Sequence, residues 1–383
     1  MAAADSCIYI CDRTLNIITD PGRSFNMLEW KSNLRATEPY VPGEQPQDGR
    51  VIKLNTNENP YPPAPEVAKL AAGMDTEKFR LYPDPDVHML SAGLAAYHGV
   101  KEGQVFVGVG SDDVLAMSFL AFFNSDKPVL FPDITYSFYK VWAGLFRIPY
   151  ETVPLKDDFR IGFDDYTRQN GGIVIANPNA PTSIYEHVEA LEKVVKANPA
   201  SVVIIDEAYI DFAGESALSL VDKYDNVLVV RTFSKSRSMA GLRIGYAVGN
   251  AELINALKSV KLSYNSYTMN MPSIILGTEA VKDEEYFRST INKVVSTRNE
   301  TKAALEKLGF AMPASGTNFL FASHKTVPAK YIFEELRAQG IYVRYFNSPR
   351  IDNYLRITIG TDEEMAEFME KLEGIIAQYS RTA

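Results

Sequence analysis

With 383 residues, 46% of them apolar and 23% charged, the chain is long enough for about two to three domains of ordinary soluble composition, which excludes a disulfide miniprotein, a peptide hormone and global disorder. Lys and Arg number 39 against 48 Asp and Glu, a net charge of −9 without a long basic run, so neither nucleic acid nor, for want of an apolar stretch of about 18 residues, a membrane is an expected partner. Both cysteines, Cys7 and Cys11, fall in the first dozen residues, which leaves the body of the chain without a thiol nucleophile or disulfide and fits a reducing cytoplasm.

Residues 1–26 carry an apolar patch around Cys7 and Cys11 that Asp5 precedes and Arg13 follows, an order that contradicts a secretory signal. They read as an N-terminal extension, non-native or disordered, upstream of a natural start at Met27. Two cysteines four apart with no other ligand nearby do not read as a metal site. Over 27–65 an amphipathic helix begins at Leu28-Glu29-Trp30-Lys31, and Thr37 to Pro65, rich in Pro, Gly and Asn, predicts an extended arm lying over a surface, of the kind that reaches another subunit.

From residue 66 to 270, apolar runs at Val105–Val107, Val129–Phe131, Ile173–Ala176, Val202–Ile205, Val227–Arg231 and Ile244–Val248 alternate with helical patterns such as Asp112–Phe123 and Glu186–Lys196. Strands that read as unbroken apolar runs are buried on both faces, so this is an α/β domain with helices on each side of its sheet. Beyond Ala251 the pattern turns helical, with a charged amphipathic stretch over Asp283–Leu308. Strands at Asn318–Ala322, Ile341–Tyr345 and Tyr354–Ile359 then alternate with helices at Ala329–Gln339 and Glu363–Gln378, giving a smaller α+β domain over 271–383.

The chemistry concentrates between Val202 and Gly249. One buried strand ends in Asp206-Glu207-Ala208-Tyr209, another in Arg231-Thr232-Phe233-Ser234-Lys235, and Arg243 follows eight residues later. Open α/β sheets bind ligands beyond the carboxyl ends of their strands, so an Asp at one end and a Lys past another share a crevice. Lysine forms imines with carbonyl compounds once its ammonium form is disfavoured. If that carbonyl is pyridoxal phosphate, a buried Asp keeps the ring nitrogen protonated, and Thr232, Ser234 and Arg243 are donors for the phosphate. Singly, Asp-Glu reads equally as a helix cap or a metal pair, and Lys235 as a solvated loop charge; their order along the strand ends is what favours the cofactor. Val105 to Asp113 adds a strand that passes through Gly108 and Gly110 into a helix, a phosphate seat. Asp113 occupies the third position of a dinucleotide fingerprint where glycine belongs, which disfavours that reading. His88, His98, His187 and His324 form no ligand spacing, and no other catalytic motif occurs.

Nine stretches in order carry a resemblance: Thr37–Gly43, Leu54–Pro60, Leu81–Pro85, Gly110–Asp112, Pro132–Tyr136, Asn177–Thr182, Asp206–Tyr209, Ser234–Arg243 and Leu355–Gly360. From about Met27 onward the chain resembles the fold type I pyridoxal-phosphate aminotransferases, most closely the histidinol-phosphate aminotransferase family. The resemblance implies a large domain with a mostly parallel sheet covered by helices, and a homodimer with shared active sites. Lys235 holds the cofactor covalently and shuttles a proton, Asp206 pairs with the ring nitrogen, Tyr209 bonds the phenolic oxygen and Tyr136 stacks on the ring. Ser111, Asp112, Thr232, Ser234, Arg243 and Tyr82 from the neighbouring subunit surround the phosphate.

For substrate, the resemblance places Tyr40, Tyr82, Arg344 and Arg356 beyond the cofactor, with Asn318 and Arg350 as neighbours. The family carries Asn before Pro-Thr-Gly, and here Ala180 stands there, so Asn177 or Asn179 reaches in or Tyr209 acts alone. The implied reaction moves an amino group between L-glutamate and imidazole-acetol phosphate, giving L-histidinol phosphate. An aromatic aminotransferase and a threonine-phosphate decarboxylase would share every cofactor residue, while a non-enzymatic binding module would have no use for Lys235.

Overall fold

The computed structural model describes residues 29–46 and 51–382, so the expectations for 1–26 and for both cysteines lie outside the described residues. Two compact units divide the chain after Glu38. The first holds one described turn of helix, α1 (Glu29–Ser32), within the segment where a helix was expected to begin. The second, from Pro39, contains everything that follows.

Its first strand, β1 (Ile52–Lys53), belongs to the segment expected to lie over a surface as an arm. Instead Leu54 and Asn57 are buried, because the backbone there has partners on both sides: Leu54 N–H donates to Tyr342 O at 2.7 Å and Thr358 N–H to Leu54 O at 3.0 Å. Helices α2 (Pro65–Ala72) and α3 (His88–His98) lead to the main sheet.

That sheet contains β2 (Val105–Gly108), β3 (Val129–Pro132), β4 (Tyr150–Val153), β5 (Gly172–Ala176), β6 (Val203–Asp206), β7 (Val227–Thr232) and β8 (Gly245–Gly249), in the order β2-β8-β7-β6-β5-β3-β4. β8 runs antiparallel to both neighbours and the other pairings are parallel. All residues of β5, β6 and β7 are buried, as unbroken apolar runs require. Helices α4 (Ser111–Phe122), α5 (Phe138–Phe146), α6 (Val188–Ala197) and α7 (Ala251–Tyr264) connect and cover the strands. One face packs Leu130, Ile175, Ile205 and Val229 with Leu191 of α6, and the other packs Val174, Ile204 and Leu228 with Phe119 of α4 and Tyr139 of α5. The sequence reading missed β4, an edge strand whose Tyr150 and Glu151 are exposed and which therefore lacks an apolar run.

Helix α8 (Met271–Lys282) packs Ile274, Leu276 and Ala280 into the first of these cores. The long α9 (Glu284–Lys307) opens a separate core with β9 (Phe310–Ala311), β10 (Phe319–His324), α10 (Ala329–Ala338), β11 (Ile341–Tyr342), β12 (Arg344–Tyr345), β13 (Leu355–Thr358) and α11 (Asp362–Thr382). Ile52 and Leu54 join this second core, and β1 pairs in parallel with β11. The run Ile341–Tyr345, expected as one strand, is two: β11 pairs with β1, and after Val343 the chain switches to pair β12 with β13. Among the described residues no helix is long and apolar enough to cross a membrane.

Candidate active site

The carboxyl ends of β2, β5, β6 and β7 open onto one cleft of about 1030 Å³, its mouth included, where Arg344, Arg356, Tyr40, Gly43 and Asn55 to Glu58 supply the remaining wall. Of the expected residues, Tyr40, Ser111, Asp112, Tyr136, Asp206, Tyr209, Thr232, Ser234, Lys235, Arg243, Arg344 and Arg356 line it.

Lys235 sits three residues past the end of β7, and its Nζ donates to the Thr56 carbonyl at 3.1 Å. Burial, reinforced by the positive charge of Arg356, pulls its pKa down to about 8, so the amine form is accessible near neutral pH. Asp206 ends β6 with both oxygens held: Tyr139 Oη donates to Oδ2 at 2.7 Å and the Ala208 N–H to Oδ1 at 3.2 Å. Burial lifts its pKa to about 6 against these two bonds, leaving a carboxylate poised for a cationic partner. Tyr209 Oη accepts from Asn57 Nδ2 at 2.8 Å, and its own proton has no acceptor among the described residues.

Ser111 is the first residue of α4, after Gly110 at φ +86°. A side chain on Gly245 of β8 would bring its Cβ within 2.2 Å of the Gly110 carbonyl carbon, so glycine there is what lets the helix start sit against the sheet. Ser234 and Arg243 flank this seat; Thr232 Oγ1 bonds Ser234 Oγ at 3.0 Å, and Arg243 Nη2 pairs with Asp112 Oδ2 at 3.3 Å. Tyr136 Oη donates to the other Asp112 oxygen at 2.7 Å, which fixes its ring in the cleft. Tyr40 stacks on Phe138 with centroids 4.2 Å apart. Arg344 donates to the carbonyls of Val41 and Pro42, and Arg356 Nη2 to Asn55 O at 2.8 Å. The Nε of Arg356 is buried and has no hydrogen-bond partner among the described residues.

Five expected residues do not line the cleft. Asn179 spends its amide on Ile134 O and Thr182 Oγ1, both at 2.9 Å, and its carbonyl accepts from Thr135 Oγ1. Asn177 is closed on the Glu186 backbone through both amide atoms. Neither asparagine therefore replaces the missing family amide; Ala180 faces the cleft, and Tyr209 is the donor left. Asn318 is fully buried and donates to Asn57 O at 3.0 Å behind the wall, while Arg350 is tied to Asp133, Leu155 and Lys156. Tyr82 is 81% exposed and stacks on Tyr267.

The sequence reading missed Asn57 as the residue that orients Tyr209, although it lies inside one of the nine stretches, and it missed Tyr139, which carries no motif of its own. Tyr139 is fully buried, so Tyr139→Phe leaves Asp206 Oδ2 without its donor. Stability should fall by about 1–3 kcal/mol in urea unfolding; an unchanged midpoint would show that the bond contributes nothing.

A buried lysine of lowered pKa, an aspartate awaiting a protonated nitrogen, a tyrosine with a proton to give and a phosphate seat at a helix start fit pyridoxal 5'-phosphate at each of its polar groups. Fold and site together define a pyridoxal-phosphate-dependent aminotransferase. The sequence profile of aminotransferase class I and II matches residues 49–372, and the chain belongs to that family.

Within it the chain groups with the histidinol-phosphate aminotransferases. It is 51% identical to that of Clostridium acetobutylicum over 348 residues, covering 91% of this chain and 99% of the relative. It is 52% identical to that of Brachyspira hyodysenteriae over 343 residues, covering 89% and 97%. The crystal structure of the Sinorhizobium meliloti histidinol-phosphate aminotransferase in complex with pyridoxal-5'-phosphate superposes with a TM-score of 0.79 at 25% identity, covering 86% of this chain and 91% of that one.

Proposed function

We propose that this enzyme transfers the amino group of L-glutamate to imidazole-acetol phosphate, giving L-histidinol phosphate and 2-oxoglutarate, a step of histidine biosynthesis in the cytoplasm. The observation that carries the reading is the buried, unpartnered Nε of Arg356 in the same cleft as Lys235: each half-reaction brings an anion, a phosphate or a carboxylate, and this donor has no other partner. The likeness to named histidinol-phosphate aminotransferases over nine-tenths of the chain supports it.

Ser111, Ser234 and Arg243 would hold the cofactor phosphate, Lys235 the carbonyl carbon, Tyr209 the phenolic oxygen and Asp206 the ring nitrogen, and Tyr136 would shield the ring from water. Once bound, the cofactor supplies an electron-accepting ring. The protein's own part is acid–base work and orientation. Lys235 Nζ, uncharged in part near neutral pH, takes the proton from the substrate carbon and returns it, and the Thr56 carbonyl gives its protonated form a place to rest. Asp206, fixed by Tyr139 and Ala208, keeps its negative charge against the ring nitrogen throughout.

The reading includes a homodimer. Phe79, Leu81, Tyr82, Met89, Leu262, Tyr264 and Tyr267 are large apolar side chains left exposed, and Tyr82 among them serves the neighbouring subunit's phosphate seat. It also includes a large cofactor domain over 66–270 and a small domain over 271–383, whose first helix, α8, packs on the large domain's core.

Assayed with 2-oxoglutarate, L-histidinol phosphate should be preferred over phenylalanine and tyrosine, and threonine phosphate should release no carbon dioxide. A tenfold preference for phenylalanine in kcat/KM would overturn the reading.

A further inference from the structure

Among the described residues three carboxylates line the cleft, Glu58, Asp112 and Asp206, and two of them are fully engaged. Asp112 holds Tyr136 on one oxygen and Arg243 on the other; Asp206 holds Tyr139 and the Ala208 N–H. Glu58 differs. Lys53 Nζ and Thr56 Oγ1 both donate to its Oε2, the latter at 2.8 Å, and among the described residues nothing donates to Oε1. These bonds, outweighing the opposing effect of burial, hold the carboxyl below its usual range, so Glu58 is ionised in the working range of the enzyme. It stands two residues from Thr56, whose carbonyl takes Lys235 Nζ, and lines the same cleft as that lysine.

Among the described residues the cationic groups of the cleft are Arg243, Arg344, Arg356 and Lys235, which the substrate reading assigns to the cofactor and to the substrates' anions. A ring with an N–H to donate has a different need, an acceptor not already in use. We propose that Glu58 is a specificity-determining residue: its free Oε1 accepts the ring N–H of an imidazole-bearing substrate, while Lys53 and Thr56 fix the carboxylate through the other oxygen. The inference rests on the substrate reading above and adds to it the group that tells an imidazole from a phenyl ring. A site that offers an acceptor to a donor discriminates against an analogue that lacks one, because the acceptor is then left without its partner in the complex. The same negative charge disfavours placing the side-chain carboxylate of glutamate at this spot, so the two substrates of the cycle use the cleft differently.

The test compares holoenzymes of wild type, Glu58→Gln and Glu58→Leu, each first shown by thermal melting and cofactor absorbance to be folded and loaded. kcat/KM is measured for L-histidinol phosphate, for L-glutamate and for phenylalanine, and the dissociation constant of L-histidinol phosphate by calorimetry. Both variants should lose at least tenfold more kcat/KM with L-histidinol phosphate than with glutamate, weaken L-histidinol phosphate binding at least tenfold, and in Glu58→Leu shift the preference toward phenylalanine. Equal losses with all three substrates would assign Glu58 to Lys235 or to the fold and overturn the inference, as would unchanged binding of L-histidinol phosphate. If the wild type itself fails with L-histidinol phosphate but turns over phenylalanine, the substrate reading falls and takes this inference with it, whereas a competent wild type with indifferent variants removes the inference alone.

Discussion

Replacing Lys235 by alanine should lower transamination by on the order of a thousandfold or more, the range expected when a positioned acid–base group is removed. Among the described residues no other lysine lines the cleft, and the neighbouring hydroxyls of Thr232 and Ser234 already bond each other. Borohydride reduction of the wild-type holoenzyme followed by mass spectrometry should find the cofactor's mass on the peptide that contains Lys235, and on no peptide of the variant. Activity within tenfold of wild type, or an adduct elsewhere in the chain, would remove the mechanism. Folding should survive the change: the Nζ makes one hydrogen bond, to the Thr56 carbonyl, and a buried amine of lowered pKa is a charge the fold is better off without.

Asp206→Asn should retain the cofactor and lose about 10²–10³ in kcat, because the amide keeps the shape of the carboxyl but not the charge that holds a proton on the ring nitrogen. The side chain stays where it is, since an amide oxygen still accepts from Tyr139. Burial lifts the wild-type carboxyl to about 6 before any cation is present. A protonated nitrogen against it favours the ionised form and brings that value down, so the wild type should keep its kcat as the pH falls toward 6, while the variant shows no titration from this group. A variant with kcat within threefold of wild type would show that the charge at the end of β6 is not used.

Much of this was legible because the central strands are buried on both faces and so announce themselves as apolar runs; Asp206 ends one of them and Lys235 follows another by three residues. What escaped has one physical cause, distance along the chain. Tyr139 meets Asp206 across 67 residues and Asn57 meets Tyr209 across 152, and neither separation leaves a local pattern. Asn179 fails for a related reason. It lies in the right stretch, but which way a side chain points after a strand end is decided by the backbone, and here the backbone turns Ala180 to the cleft and Asn179 to Ile134. Arg344 and Arg356 emerged from resemblance alone, since a charge on a short strand is otherwise a surface charge; the buried Nε of Arg356 distinguishes it.

The stitching of Thr56 to Lys235 and of Asn55 and Asn57 to the last strand spans 179 and 301 residues. Contacts this remote form late, after the loops between them have been closed. On the ribosome, therefore, a nascent chain carries Lys235 and its phosphate seat long before it has Arg356, and a product halted short of Arg356 would lack that donor for a substrate anion. The complete cleft is assembled only once the last strand has been made.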